Sequence, residues 1–227
     1  MDCPDLNNII KSSKNILIIS HVNPDGDTLG SMCGLYSTIL ENFKKKCDML
    51  AVSKVPTVYE FLPFVNQIKS LDDIDKSREY DLVINVDVAS FDRICDAGIL
   101  FQKAKKTINI DHHKTNIAYA DINIIDPDAS STGEVLVNCF NNWNWKINID
   151  TAICLYTAIL TDTGSFRFDN TKPKTFECAS ELVKIGANPS DIYKRVYESD
   201  SKTLVIFQAH CISKAKFLYD DKLAYTT

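Results

Sequence analysis

Residues 16–34, ILIISHVNPDGDTLGSMCG, join a short apolar run to a histidine, two aspartates and the start of an amphipathic repeat. Ile16 to Ile19 form an unbroken β-branched and leucine block with no polar alternation, the pattern of a strand buried on both faces of a parallel sheet. Asn23-Pro24 blocks helix, because the proline ring disfavours the helical region for the residue before it and sets Asn23 in extended geometry. Asp25-Gly26 then completes a turn. From Thr28 the apolar positions Leu29, Met32, Cys33, Tyr36, Leu40 and Phe43 follow a 3.6-residue period, and Gly26, Gly30 and Gly34 recur every fourth residue as a smooth face for close packing. His21, Asp25 and Asp27 thereby fall in a strand-to-helix crevice, where open α/β sheets bind ligands. Taken alone the stretch is also an ordinary polar turn, since Asp and Gly are common turn residues.

Working outward, the same arrangement recurs. A short strand is expected at Met49 to Val52, followed by a loop or irregular helix over Pro56 to Pro63. Leu82 to Val86 reads as a buried strand ending in Asp87, and Thr107 to Ile110 as another ending in Asp111-His112-His113. Ala120 to Ile125 suits an edge strand. Ser131-Thr132-Gly133-Glu134 has capping-box spacing and starts a helix whose apolar face carries Val135, Leu136, Cys139, Phe140 and Trp143, with Asn144 as its stop. Trp143 and Trp145 read as core and loop aromatics rather than stacking platforms. Asp150 is the expected cap of the next helix, Thr151 to Leu160, which is apolar on nearly every side and leads to Asp162. Lys174 to Ile185, closed by Gly186, is amphipathic, and Asn188-Pro189-Ser190 opens a further short helix. These elements predict an α/β fold: an open, mainly parallel sheet flanked by helices on both faces. The expected organisation is a catalytic domain over 1–198, a linker helix over 199–217, and over 218–227 the start of a second domain that is truncated or absent.

Composition narrows the classes. The chain has 227 residues, 45% hydrophobic content and a net charge of −5, values of a globular domain without the basic face that long nucleic acid demands. Lys44 to Lys46 and Lys103 to Lys106 read as solvated, dipole-complementing helix ends. No apolar run approaches the roughly 18 residues of a membrane span, and MDCPDLNN is not a signal peptide. Eight cysteines stand singly with no CxxC, as reduced core thiols do, and point to a cytoplasmic location. Neither a GxGxxG fingerprint nor a P-loop occurs, which argues against nicotinamide enzymes and P-loop nucleoside triphosphatases.

The strand-end and loop residues together are His21, Asp25, Asp27, Asp87, Asp111, His112, His113 and Asp162. Three of the four histidines belong to this set, whereas packing histidines would be scattered, as His210 is. A hydrogen-bonded core network is the plainer explanation of such a cluster, but histidine and aspartate without cysteine form the donor set of a hard or borderline divalent ion. Mn²⁺ suits it best, with Mg²⁺, Co²⁺ and Zn²⁺ as alternatives. Four aspartates and two histidines exceed the needs of one ion. Two ions about 3.5–4 Å apart, sharing an aspartate and a water, are the natural reading, and such a pair suits phosphoester or phosphoanhydride hydrolysis.

HVNPDGD, the strand end at Asp87, DHH at 111–113 and DTGSFRFDNT from Asp162 resemble, in order, the four motifs of the DHH phosphoesterase superfamily, across Asn15 to about Arg195. PDGD-x-x-GS and DTG-x-F-x-x-x-NT are most similar to its nanoRNase/pAp phosphatase branch. The resemblance implies Mn²⁺-dependent hydrolysis of short oligonucleotides or small nucleotides such as pAp. It places one ion on His21, Asp25 and Asp87 and the other on Asp27, Asp87, His112 and Asp162, with Asp87 as the bridge. His113 would face the phosphate, Asp111 would orient the neighbouring imidazole, and Arg167, Asn170 and Thr171 are substrate-binding candidates. Full-length members of the superfamily add a glycine-rich substrate domain that these 227 residues lack, so weak and poorly selective turnover is expected. A homodimer is left open. The competing expectations are a non-catalytic nucleotide or metal sensor and, among enzymes, a cyclic-dinucleotide phosphodiesterase, an inorganic pyrophosphatase or a RecJ-type exonuclease; the acidic balance weighs against the last.

Overall fold

A computed structural model describes residues 4–226. Short helix α1 (Asn7–Ser12) leads into β1 (Ile16–Ile19), whose four side chains are all buried. Helix α2 (Gly26–Phe43) follows, then β2 (Asp48–Leu50) and β3 (Ile68–Lys69), with single 3₁₀ turns at Thr57–Tyr59 and Val65–Gln67 between them. After β4 (Leu82–Val86) the chain makes an irregular 3₁₀ segment, Phe91–Ala97, and α3 (Gly98–Lys103) before β5 (Thr107–Asp111) and β6 (Ile122–Ile125). Four helices complete the body: α4 (Thr132–Asn142), α5 (Ile149–Asp162), α6 (Pro173–Ile185) and α7 (Pro189–Tyr197).

All six strands pair in parallel, in the order β3-β2-β1-β4-β5-β6. The chain therefore winds outward from β1 in one direction and restarts beside it at β4 in the other. The crevice between β1 and β4 is the topological switch point, where side chains from diverging loops meet. Ile16 and Ile18 join the larger core under α2, α4 and α5, while Leu17 and Ile19 join the smaller core with Val83, Ile94 and Leu100. Strands buried on both faces follow directly from this two-sided cover.

Helix α2 packs most extensively on α5. The glycine face makes that approach close: a Cβ on Gly30 would lie 2.5 Å from the carbonyl oxygen of Cys154, and one on Gly34 would meet Leu155 at 2.7 Å. The seam holds the first turn of α2 beside the last turn of α5.

Several local expectations are corrected. Helix α2 starts at Gly26, with Asp25 as its cap accepting from the Thr28 amide. Asn23 adopts φ 55° rather than extended geometry, because asparagine tolerates the left-handed region and its amide is taken up by Ser53 Oγ at 2.7 Å. The second strand is Asp48–Leu50, not Met49–Val52. Asn148, not Asp150, caps α5 by accepting from the Thr151 amide. Lys44 and Lys46 are exposed, whereas Lys45 is partly buried and its ammonium caps the end of α1, donating to the carbonyls of Ile10, Lys11 and Ser13. Trp143 and Trp145 are buried together. Cys33, Cys139, Cys154 and Cys178 are buried, and no disulfide joins the described cysteines.

Beyond α7, helix α8 (Lys202–Ser213) and the antiparallel hairpin of β7 (Lys216–Leu218) with β8 (Leu223–Tyr225) contain no buried residue. Among the described residues no helix is long and apolar enough to cross a membrane.

Candidate functional site

The carboxyl ends of β1, β4 and β5 deliver His21, Asp87 and the Asp111-His112-His113 run to one rim, and the facing ends of α2 and α5 bring Asp25, Asp27 and Asp162 over them. Asp87 is the hub. It follows the last residue of β4 with φ 61°, a left-handed conformation unusual outside glycine, and its amide donates to the Ile110 carbonyl at 2.9 Å. His21 Nε2 lies 3.3 Å from Asp87 Oδ2. On the other side His112 Nε2 lies 3.6 Å from Asp27 Oδ2 and 3.7 Å from both Asp87 Oδ1 and Asp162 Oδ2.

Three groups of donor atoms are compact enough to hold a metal ion: His21, Asp25 and Asp87; Asp27, His112 and Asp162; and Asp87, His112 and His113. The first converges on a point marked by the Thr28 hydroxyl, which lies 2.6 Å from His21 Nε2 and Asp87 Oδ2 and 3.0 Å from Asp25 Oδ1. His21 Nδ1 is 2.7 Å from the Val22 carbonyl. That contact places a ring proton on Nδ1. Burial works against charging the ring, but the Asp87 carboxylate outweighs it and raises the imidazole. In the metal-free site Nε2 therefore carries a second proton that serves Asp87, and Nε2 is the atom a metal ion would engage.

Asp27 is almost fully buried. It accepts from the amides of Thr132 at 2.8 Å and Gly133 at 3.0 Å, the first residues of α4, and from Ser31 Oγ at 3.1 Å. The positive end of α4 thus faces a carboxylate supplied by a residue 105 positions away. Burial nevertheless raises the Asp27 carboxyl well above its ordinary range, reinforced by the charges of Asp87, Asp162 and Asp25. Asp162 is pushed to about 6, first by burial and then by Asp87 and Asp25. Burial opposes ionisation of Asp87 too, but hydrogen bonds from His21 and Thr28 and the nearby His112 outweigh it and hold its carboxyl low. Thr132 Oγ1 adds a further bond to Asp87 Oδ1 at 3.1 Å.

Asp111 is buried outside the three groups. Its Oδ1 accepts from the His112 amide at 2.8 Å and sits 2.7 Å from His113 Nδ1, and its Oδ2 accepts from Asn116 at 2.5 Å. This hydrogen bond raises the His113 imidazole to about 9, against the cost of burial. His113 is therefore cationic at neutral pH, with its ring 40% exposed at the mouth of the cluster.

The remaining sequence candidates lie further out. Asn170 donates to the carbonyls of Ser130 and Asp162 at 2.9 and 3.0 Å, and so ties down the loop after α5. That loop runs left-handed through Gly164, Ser165 and Phe166. Arg167 donates through Nε to the Gly164 carbonyl at 2.7 Å. Thr171 Oγ1 is buried without a hydrogen-bond partner. The sequence reading missed Thr28, Thr132, Gly133 and Arg93, whose guanidinium reaches His21. Only the helix-start spacing at Ser131 hinted at the second and third.

The match to known proteins follows this geometry. Residues 15–159, which contain His21 through His113, match the model of the DHH family, N-terminal domain. The chain belongs to the DHH family. Within that family it is 34% identical over 188 residues to the bifunctional oligoribonuclease and PAP phosphatase NrnA of Bacillus subtilis, covering 81% of this chain and 57% of the relative. It is 38% identical over 176 residues to the probable bifunctional oligoribonuclease and PAP phosphatase NrnA of Streptococcus mutans, covering 77% and 54%. An exopolyphosphatase-related protein from Bacteroides fragilis superposes with a TM-score of 0.89 at 27% identity, over 95% of this chain and 65% of that one. The DHH chain described here thus spans little more than half the length of the curated relatives it matches.

Proposed function

We propose that this chain is a divalent-metal-dependent phosphoesterase, and that its substrates are short oligoribonucleotides and small nucleotides such as pAp. The observation that carries the reading is the arrangement of donors: two histidine–carboxylate groups meet at Asp87, and among the described residues no lysine or arginine lies within 4.0 Å of Asp25, Asp27, Asp87 or Asp162. Four carboxylates crowded at a buried rim repel one another and need cations that the side chains around them do not supply. The donor set, nitrogen and oxygen without sulfur, fits Mn²⁺, with Mg²⁺, Co²⁺ and Zn²⁺ as alternatives.

His21, Asp25 and Asp87 would hold one ion and Asp27, Asp87, His112 and Asp162 the other. Such a pair, when bound, lowers the pKa of a water towards neutrality and offsets phosphate charge. The chain's own groups do the positioning. The α4 amides fix Asp27, Thr132 holds Asp87, and Val22 sets the tautomer of His21. A cation taken up by the first group requires the Thr28 side chain to turn away. His113, held by Asp111 and protonated, is placed to pair with a phosphate oxygen or to donate a proton to the leaving oxygen. The names of the relatives in Bacillus subtilis and Streptococcus mutans direct the choice of substrate.

The test is to incubate the full chain and Mn²⁺ with pAp and, separately, with a diribonucleotide, and to resolve the products by ion-exchange chromatography. Release of phosphate from pAp or of mononucleotides from the dinucleotide is expected. Tight Mn²⁺ uptake without either product would instead make the chain a sensor, and no uptake at all would remove the proposal.

A further inference from the structure

The contacts of Arg93 do not satisfy it. It lies in the irregular segment after β4, with its amide bonded to the Ser90 carbonyl at 3.1 Å and its carbonyl accepting from the Val22 amide at 2.9 Å. The backbone is thus pinned to the loop that carries His21. Its guanidinium Nη2 lies 3.0 Å from His21 Nδ1, its Nε is buried without any partner, and no carboxylate among the described residues lies within 4.0 Å of it. An arginine beside a cluster of five aspartates that touches none of them is unusual, because guanidinium normally finds a carboxylate.

Its single polar contact is also not a durable hydrogen bond. His21 Nδ1 is 2.7 Å from the Val22 carbonyl, and the oxygen can only accept, so Nδ1 carries a proton whether or not Nε2 carries another. A guanidinium N–H then meets an imidazole N–H, donor against donor. The conflict is strict whenever Nε2 is engaged as a ligand, since the neutral ring has one proton and it must reside on Nδ1. Nε and Nη2 form one edge of the guanidinium fork, so the edge that faces His21 is left with two donors and no acceptor. A phosphate oxygen pair matches that edge in charge and spacing.

Resting on the phosphoesterase reading, we propose that Arg93 is a substrate-binding residue: its fork turns from His21 to grip a non-bridging phosphate oxygen pair of the nucleotide at the His21, Asp25 and Asp87 side of the site. It would complement His113, which approaches from the β5 side. The ligand class this requires is a phosphate ester with a dianionic or doubly oxygen-exposed terminal group. A neutral or fully alkylated phosphate would not be held.

Calorimetric titration of the full chain tests it with three probes that are not turned over: Mn²⁺ alone, and then AMP and, separately, inorganic phosphate against the Mn²⁺-saturated protein. Arg93→Met is expected to raise the Kd for AMP by about tenfold or more, and for inorganic phosphate by a similar factor, with the Kd for Mn²⁺ changed by less than about twofold. Arg93→Lys, which keeps the charge and loses the fork, should fall between the two and is the variant to read if Arg93→Met loses its native circular dichroism. Unchanged AMP affinity in a wild-type-like hydrolase overturns the role of Arg93 alone. An equal fall in Mn²⁺ affinity overturns it as well, because Arg93 would then act by supporting His21. Absence of Mn²⁺ uptake by the unmodified chain overturns this inference together with the function it rests on.

Discussion

Asp27 and Asp162 face the same imidazole, His112, from opposite walls of the site, and the two walls are built differently. The Asp27 wall is closed: its carboxylate is 2% exposed and is met by two backbone amides of α4. The Asp162 wall is open: its carboxylate is 30% exposed and is steadied by the Asn170 amide, which bonds the Asp162 carbonyl and reaches its Oδ2 at 3.4 Å. Backbone amides at a helix start cannot rotate away, whereas a loop held by one side-chain amide can adjust. One wall fixes where an ion would sit, and the other can follow a substrate as it enters.

Asp87→Asn would act on more than the two walls, disturbing both donor groups at once, since Asp87 Oδ1 faces His112 while Oδ2 faces His21. We expect hydrolysis to fall on the order of 10³-fold with the fold intact, measured as initial rates at saturating Mn²⁺. The closed wall can be probed at Thr132. Thr132→Val removes only the hydroxyl bond to Asp87 and should cost about tenfold in Mn²⁺ affinity. Thr132→Pro also removes the amide that donates to Asp27, at the first helical position where proline is tolerated. It should cost about 100-fold with helix content retained. If the two variants are equal, the amide contributes nothing.

The spacing between the walls is set by the α2–α5 seam, because α2 carries Asp27 and α5 carries Asp162. Gly30→Ala places a methyl against the Cys154 carbonyl. It should lower stability by about 1–3 kcal/mol in urea unfolding. An unchanged midpoint would mean that the seam yields freely.

The smallest effect expected is a pH slope. In the metal-free protein the folded Asp162 carboxyl titrates near 6, above the unfolded value of about 4. A raised folded value means that its stabilising contribution is full below pH 4 and is lost as pH rises through 6. The Tm of chelator-treated protein should therefore fall from pH 4 to 6 on account of this group, and Asp162→Asn should flatten that fall. His113, raised to about 9, has the same sign at a higher window: its contribution is full below about 6.5 and is lost through 9. His113→Asn should remove that upper slope.

Much of this site could be read from the chain itself. β-branched runs that end in Asp87 and in Asp111-His112-His113 identify parallel strands and their functional edge together, since both follow from burial on two faces. The glycines of α2 announced a close packing, although not its partner. What could not be read were contacts made across sequence distance. Thr132 looked like a helix start, and nothing local says that its amide faces Asp27 or that its hydroxyl faces Asp87. Thr28 and Arg93 were passed over for the same reason: each acts through a neighbour contributed by another loop. Asp150 and Asn148 are both competent caps, and the choice between them depends on Asn148 also being reached by Ser37 Oγ from α2.

The backbone of Asp87 adds one more consequence. A left-handed residue with a Cβ costs about 1–2 kcal/mol relative to glycine, and here it also brings a negative charge into a crowd of like charges. Selection for thermal endurance alone would replace it with glycine. A molecule that tolerates a left-handed torsion at its most connected acid is giving up durability there for chemistry, a trade that can be recognised in a single chain without any comparison to its kin.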